Sequence, residues 1–137
     1  MVIFKDKIYL NTSKRVEILD ITLEVGKIIN KTNIANGIVN IYSKHSTSAI
    51  VVNENESGLL VDFENILNDI VPENNNYKHD IIDNNADSHL RALFLGSSET
   101  IPFSDRKLSI GTWQSIFFLE LDGPRSKRTV ELTFLGE

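Results

Sequence analysis

The sequence of 137 residues contains no cysteine. That absence excludes a disulfide framework, thiolate zinc sites, iron–sulfur clusters and a cysteine nucleophile. Proline is scarce, with three residues, and no stretch rich in Pro, Gly or Ser marks a linker. No apolar run approaches the ~20 residues of a membrane span. The opening Met-Val-Ile-Phe-Lys-Asp-Lys lacks the charged-then-apolar order of a signal peptide. The expectation is a cytoplasmic protein without a membrane partner. Basic residues are also in deficit: 14 Lys and Arg against 19 Asp and Glu leave a net charge of −5, so a nucleic-acid surface has no electrostatic support. A small anionic ligand is compatible with that balance, because a few local cations can hold one inside an acidic protein.

Apolar residues make up 41% and charged residues 24%, ordinary values for a globular domain. A chain of this length buries roughly two-thirds of its unfolded surface, enough for stability without disulfide or metal. Residues 1–137 therefore read as a single domain. Residues 2–10 and 15–19 have strand character, with Asn11-Thr12-Ser13-Lys14 as the turn. Asp20 is placed to cap a helix over about 21–31, where Val25, Ile28, Ile29 and Thr32 recur at helical spacing, and Asn36-Gly37 breaks it. Two β-rich runs follow, 38–43 and 49–53. Residues 57–71 carry a helical arc of Leu59, Leu60, Phe63, Ile66, Leu67 and Ile70, stopped by Pro72. A further helix starts between Asp83 and Asp87 and ends at Gly96, a natural C′ residue. Then come Thr100–Phe103, a polar turn at 104–107, Leu108–Ile110, and a final hairpin of Gln114–Leu121 and Thr129–Leu135. The order ββ-α-ββ-α-α-βββ, neither strictly alternating nor segregated, predicts an α+β fold with three helices and mostly antiparallel sheets. The run Ile116-Phe117-Phe118-Leu119 is apolar on both faces and must be covered twice. A neighbouring subunit is one possible second cover.

Three groups of side chains carry potential chemistry. The only histidines are His45, at a strand junction, His79, in a polar loop, and His89, on the third helix. His89 borders the arc of Ala86, Leu90, Leu93 and Phe94. Singly, each reads as a hydrogen-bonded boundary histidine. Together, three imidazoles can form a facial cation site, and three neutral nitrogens suit Zn²⁺ better than Mg²⁺. Carboxylates are the second group. Asn53-Glu54-Asn55-Glu56 either caps the long helix, through Asn55 or Ser57, or offers Glu54 as a general base. Asp87 points away from His89 if the helix already includes it, and shares its site or caps the helix if it is the N-cap. Anion-holding features are the third group: Ser46, Thr47 and Ser48 in one loop, Ser97 and Ser98 after Gly96, and Arg125 in a turn where its guanidinium could grip a phosphate bidentately. Each alone reads first as ordinary turn chemistry. Trp113, between Gly111-Thr112 and Gln114, reads as core, as a stacking platform or as an interface residue.

Six ordered blocks resemble one family: His45-Ser46-Thr47-Ser48-Ala49, Asn53-Glu54-Asn55-Glu56, Asn85-Ala86-Asp87-Ser88-His89-Leu90, Leu95-Gly96-Ser97-Ser98, Gly111-Thr112-Trp113-Gln114 and Glu120-Leu121-Asp122-Gly123-Pro124-Arg125. Together they are similar to the YjbQ family, also called the secondary thiamine-phosphate synthase family. Ser46 and Ser48 stand where threonine and alanine are common in that family, and the Asn74–Asn76 run is atypical. The resemblance implies an α+β fold of sandwich character and a homotrimer. It implies a pocket carrying His45, Glu54, His79, Asn85, Asp87 and His89. It also implies a transferase that joins a pyrimidine diphosphate to a thiazole phosphate and releases pyrophosphate, using a divalent cation (Zn or Mg) and a phosphate grip. The expectation is thus an enzyme acting on a small phosphorylated or heterocyclic metabolite. The alternatives are a metal-dependent hydrolase and a non-enzymatic trimeric binding module.

Overall fold

A computed structural model of the chain describes residues 1–137. Its elements are β1 (Val2–Leu10), β2 (Glu17–Asp20), α1 (Thr22–Ile29), β3 (Gly37–Ser43), β4 (Ser48–Asn53), α2 (Ser57–Ile70), a 3₁₀ turn at Lys78–Ile81, α3 (Ala86–Leu95), β5 (Ser98–Ser104), β6 (Lys107–Leu108), β7 (Ser115–Glu120) and β8 (Arg128–Gly136). All strand pairs are antiparallel. One sheet has the order β1-β8-β3-β5-β6 and the other β2-β7-β4. The expected α+β architecture with three helices is the one observed.

Strand periodicity builds the interior. Along β8, Arg128, Val130, Leu132 and Phe134 are buried and alternate with half-buried Thr129, Glu131, Thr133 and Leu135, as a pleat with one inward face requires. Its inward residues join Val39, Ile41, Ile101 and Phe103 of the large sheet, Ile50, Ile116 and Phe118 of the small sheet, and Val25, Ile28 and Ile29 of α1 in one cluster. A second cluster lies on the other face of the small sheet, where Ala49, Phe117 and Leu119 pack with Leu67 of α2, flanked by Leu60, Phe63, Ala92 and Leu95. The molecule is therefore three layers: large sheet, small sheet, and α2 with α3. This answers the question raised by the doubly apolar β7. Its second cover is the chain's own helices, not a neighbouring subunit.

Connectivity departs from the expectation of local hairpins. The 11–14 segment does not close a hairpin, because β1 pairs with β8 and β2 with β7. Nor do β7 and β8 pair with each other; they lie in different sheets, as do β3 and β4. The three short links β1→β2, β3→β4 and β7→β8 are all crossings between layers. Each crossing sets the apolar residues of the two linked strands into the shared interior from opposite sides. The cap of α2 is also displaced from Asn55 or Ser57 to Glu56, whose carboxylate accepts from the Leu59 and Gly58 amides.

Phe118 is fully buried between the sheets, so Phe118→Ala should cost about 3–5 kcal/mol. Leu23→Ala, on the exposed side of α1, should stay within about 0.5 kcal/mol of wild type. Guanidinium unfolding midpoints of the two variants provide the check.

Candidate active site

The three sheet crossings meet at one edge of the sandwich and are tied by a buried ion pair. Glu120, at the end of β7, and Arg128, at the start of β8, are both buried. Arg128 Nε donates to Glu120 Oε1 at 2.8 Å, and its Nη2 to Glu120 Oε2 and to Thr47 Oγ1. Thr12 Oγ1 donates to Glu120 Oε1 at 2.7 Å, and the Asp122 amide to Oε2 at 3.1 Å. Burial alone would raise the Glu120 pKa, but these donors, Arg128 first, hold it below the ordinary glutamate value. Backbone bonds complete the junction: Thr12 N to Arg125 O, Leu121 N to Thr47 O and Gly123 N to Arg15 O. Gly123 is required here, since a Cβ would lie 2.1 Å from the Lys14 carbonyl oxygen.

His45 sits on this junction, in the β3→β4 crossing. Its Nε2 accepts the Thr129 backbone N–H at 2.9 Å, which places the ring proton of the neutral imidazole on Nδ1. Burial lowers the His45 pKa, and the neighbouring Arg128 charge lowers it further against an opposing pull from Glu120. The ring is a neutral N–H donor.

A polar hollow of about 340 Å³ opens beside it, lined by His45, Ser46, Ser48, His89, Ala92, Leu93, Gly96 and Ser97. Its far wall is α3. That helix turns a polar face inward: Ala86, Asp87, Ser88 and Arg91 are buried, while Leu93 and Phe94 are 79% and 78% exposed. The inversion follows from partners. Asp87 Oδ1 accepts from Arg15 Nη2 at 2.9 Å, Ser88 Oγ donates to the Leu121 carbonyl, and Arg91 donates to the Val71 carbonyl at 2.8 and 3.0 Å. Gly96 ends α3 at φ 92° and ψ 154°, a region essentially reserved for glycine. Its carbonyl takes the Ile50 N–H, pinning the helix end to β4.

On the other side of His89 lies His79, with ring centroids 4.9 Å apart in an edge-on arrangement. His79 Nε2 meets Asn85 Oδ1 at 3.0 Å, and Asn85 Nδ2 donates to Asp122 Oδ2 at 2.9 Å. Asp122 also meets Arg125 Nη2 at 3.0 Å and Arg15 Nη1 at 3.5 Å.

Residues 6–137 match the family profile described as UPF0047 protein YjbQ-like. A UPF0047 protein of Methanothermobacter thermautotrophicus is 53% identical over 128 residues, spanning 93% of this chain and 90% of that one. The chain belongs to the YjbQ family. Among solved structures, a YbjQ-like protein from Sulfolobus solfataricus superposes with a TM-score of 0.96 at 44% identity, covering 99% of each chain. A YjbQ/UPF0047 family protein from Clostridium acetobutylicum gives 0.90 at 32% identity, covering 95% of this chain and 99% of its own.

Within this YjbQ fold the predicted site residues divide. His45, Ser46, His89 and Ser97 share the hollow, and His79 and Asn85 stand directly behind His89. The others lie elsewhere. Thr47 is buried and spent on Arg128. Ser98 starts β5, outside the lining. The Arg125 guanidinium is spent on Asp122, through the carbonyl at 3.0 Å and the carboxylate. Asp87 lies inside the first turn of α3 and faces Arg15, away from His89. Glu54 lines a separate apolar cavity of about 150 Å³ beneath α2, with Leu59, Leu60 and Phe63. Trp113 is 75% exposed and is not core. No group of three His, Cys, Asp or Glu side chains converges as a metal shell within the chain. His45 Nε2 is occupied by Thr129, so the three imidazoles do not form one set of ligands. Sequence reasoning missed Arg15, Glu120, Asp122 and Arg128 as site-building residues. Arg128 carried a signal: it falls in the inward phase of Val130, Leu132 and Phe134.

Because the folded state holds His45 neutral, the unfolded chain binds that proton more readily. Stability should therefore fall as pH drops below the ordinary histidine value of 6.5. His45→Gln should remove this part of the pH dependence, measurable as a smaller loss of melting temperature on acidification.

Proposed function

We propose that the hollow between His45 and His89 binds the phosphate groups of a small metabolite, and that the chain is a thiamine-phosphate-synthase-like transferase. The observation that carries this reading is the convergence of two imidazoles with the exposed hydroxyl residues Ser46 and Ser97 on one hollow, of a size that suits small-molecule sites. In the transfer implied by family kinship, a thiazole nitrogen supplies the electron pair for a new C–N bond to the pyrimidine methylene carbon. The C–O bond to the diphosphate breaks, and pyrophosphate leaves with its pair. Negative charge develops on the leaving oxygens, and donors already in place stabilise such charge most effectively. His45 brings an N–H held in a neutral ring, the serines bring hydroxyls, and His89 takes or returns a proton. A divalent cation, Zn or Mg, finds no three-residue shell in this chain.

The same reading includes a cytoplasmic homotrimer. The strongly exposed Leu93 and Phe94 stand on α3 at the edge of the hollow, and exposed apolar surface of this kind marks interfaces. Sedimentation velocity should give a trimer mass, and Phe94→Asp should shift it to the monomer.

The direct test is formation of thiamine phosphate from the two phosphorylated halves. His89→Ala should lower turnover by about 10²–10⁴ while leaving the melting temperature close to wild type. Unchanged turnover removes His89 from the mechanism. Saturable binding of pyrophosphate without product assigns the hollow to a binding module, and release of inorganic phosphate instead assigns it to a hydrolase.

A further inference from the structure

Asn85 occupies the N-cap position of α3, where asparagine ordinarily turns its side-chain oxygen onto the first helical amides. It makes no such bond; Asp80 Oδ1 accepts the Ala86 N–H instead, at 2.9 Å. The Asn85 amide is diverted between two other groups, His79 on one side and Asp122 on the other. Chemistry dictates the direction of both bonds. Asp122 lies against the guanidinium groups of Arg15 and Arg125, so it is a carboxylate and can only accept. The Asn85 NH₂ must therefore face Asp122, and its carbonyl oxygen must face His79. The only partner for that oxygen is an N–H, so the His79 proton resides on Nε2. The lone pair of the neutral ring is left on Nδ1.

We propose that Asp122 is a positioning residue for His79, acting through the Asn85 amide to hold the ring in its Nε2–H tautomer against His89. The consequence is two histidines of opposite polarity on the two sides of His89. His45 is held as the Nδ1–H form by the Thr129 amide, and His79 as the Nε2–H form by the Asn85–Asp122 relay. One presents a donor and the other a lone pair, the division that acid and base roles require. The two arginines on Asp122 are part of the device: they hold the carboxylate in place, so the amide between it and His79 has one favoured orientation. The proposal rests on the reading of the hollow as a catalytic site and deepens it by naming what orients the histidine that backs His89. The relay itself is measurable without substrate.

The test uses the full chain with ¹⁵N-labelled histidine and long-range ¹H–¹⁵N spectra recorded where the rings are neutral. Assignments come from His45→Gln, His79→Gln and His89→Gln. In wild type His79 should appear as the Nε2–H tautomer with a ring proton protected from exchange, and His45 as the opposite, Nδ1–H tautomer. Asp122→Asn can present either an oxygen or an NH₂ to Asn85, so the relay loses its direction. His79 should then show mixed tautomers and a ring proton exchanging about tenfold faster or more, with the His45 signature unchanged. Asn85→Ala, which leaves Asp122 and its arginines paired, should give the same loss of protection at His79 even if Asp122→Asn does not fold. A wild-type His79 in the Nδ1–H form, or a folded variant of either kind with an unaltered His79 signature, overturns the relay. Neither result bears on whether the hollow takes phosphate, which the binding and turnover measurements decide.

Discussion

The buried pair of Glu120 and Arg128 is the constraint on which the rest of this molecule hangs. A single charge at either position would be prohibitively costly among the inward side chains of β7 and β8. The two together are tolerable because each offsets the other and further hydrogen bonds support both: Arg128 on Glu120 and Thr47, Thr12 and the Asp122 amide on Glu120. Those partners come from the three links that carry the chain between the sheets. The pair therefore does more than balance charge. It selects the one arrangement in which the β1→β2, β3→β4 and β7→β8 crossings converge, since any other arrangement strands a charge in the interior.

The site inherits its properties from that junction. His45 rides on the β3→β4 crossing close enough to Arg128 for its charge to oppose protonation. Asp122 follows Glu120 by two residues, so the same strand end that closes the ion pair also delivers the carboxylate behind Asn85 and His79. Arg15 enters from the β1→β2 crossing and reaches both Asp122 and Asp87. This is why α3 buries Asp87, Ser88 and Arg91 and leaves Leu93 and Phe94 outside: the polar partners already lie on the inner side, and unpaired buried donors and acceptors cost more than exposed leucine. A helix that looks miswritten by hydrophobic pattern is correctly written for the surface it meets.

Much of this was legible from one-dimensional pattern. Local periodicity is a short-range property, and it located β1, β3, β4, α1, α2 and α3 to within a few residues. Composition excluded the cysteine chemistries, and the ordered blocks around His45, Asn85, Gly96 and Gly123 carried the family. Pairing was a different matter. Strands close in sequence read as hairpins, yet β1, β3 and β7 each hand the chain to the opposite sheet, because which face a strand buries depends on residues a hundred positions away. Glu54, Thr47 and Arg125 illustrate the same limit within the site. Their residue types suit catalysis or phosphate binding, but Glu54 opens onto an apolar cavity, and the other two are consumed by the junction.

The sequence by itself determined the element types, the three-helix α+β class, the family and the three histidines, since each follows from residue identity and near-neighbour spacing. Tertiary structure alone decided which histidines meet, which nitrogen of His45 accepts a backbone amide, and which charges are spent inside. Those outcomes depend on partners such as the Thr129 amide, which donates to His45 across 84 residues, and the Asp122 carboxylate, which accepts from Asn85 and so joins a helix cap to a strand end 37 residues on. No local pattern encodes such meetings; they exist only once the layers have packed.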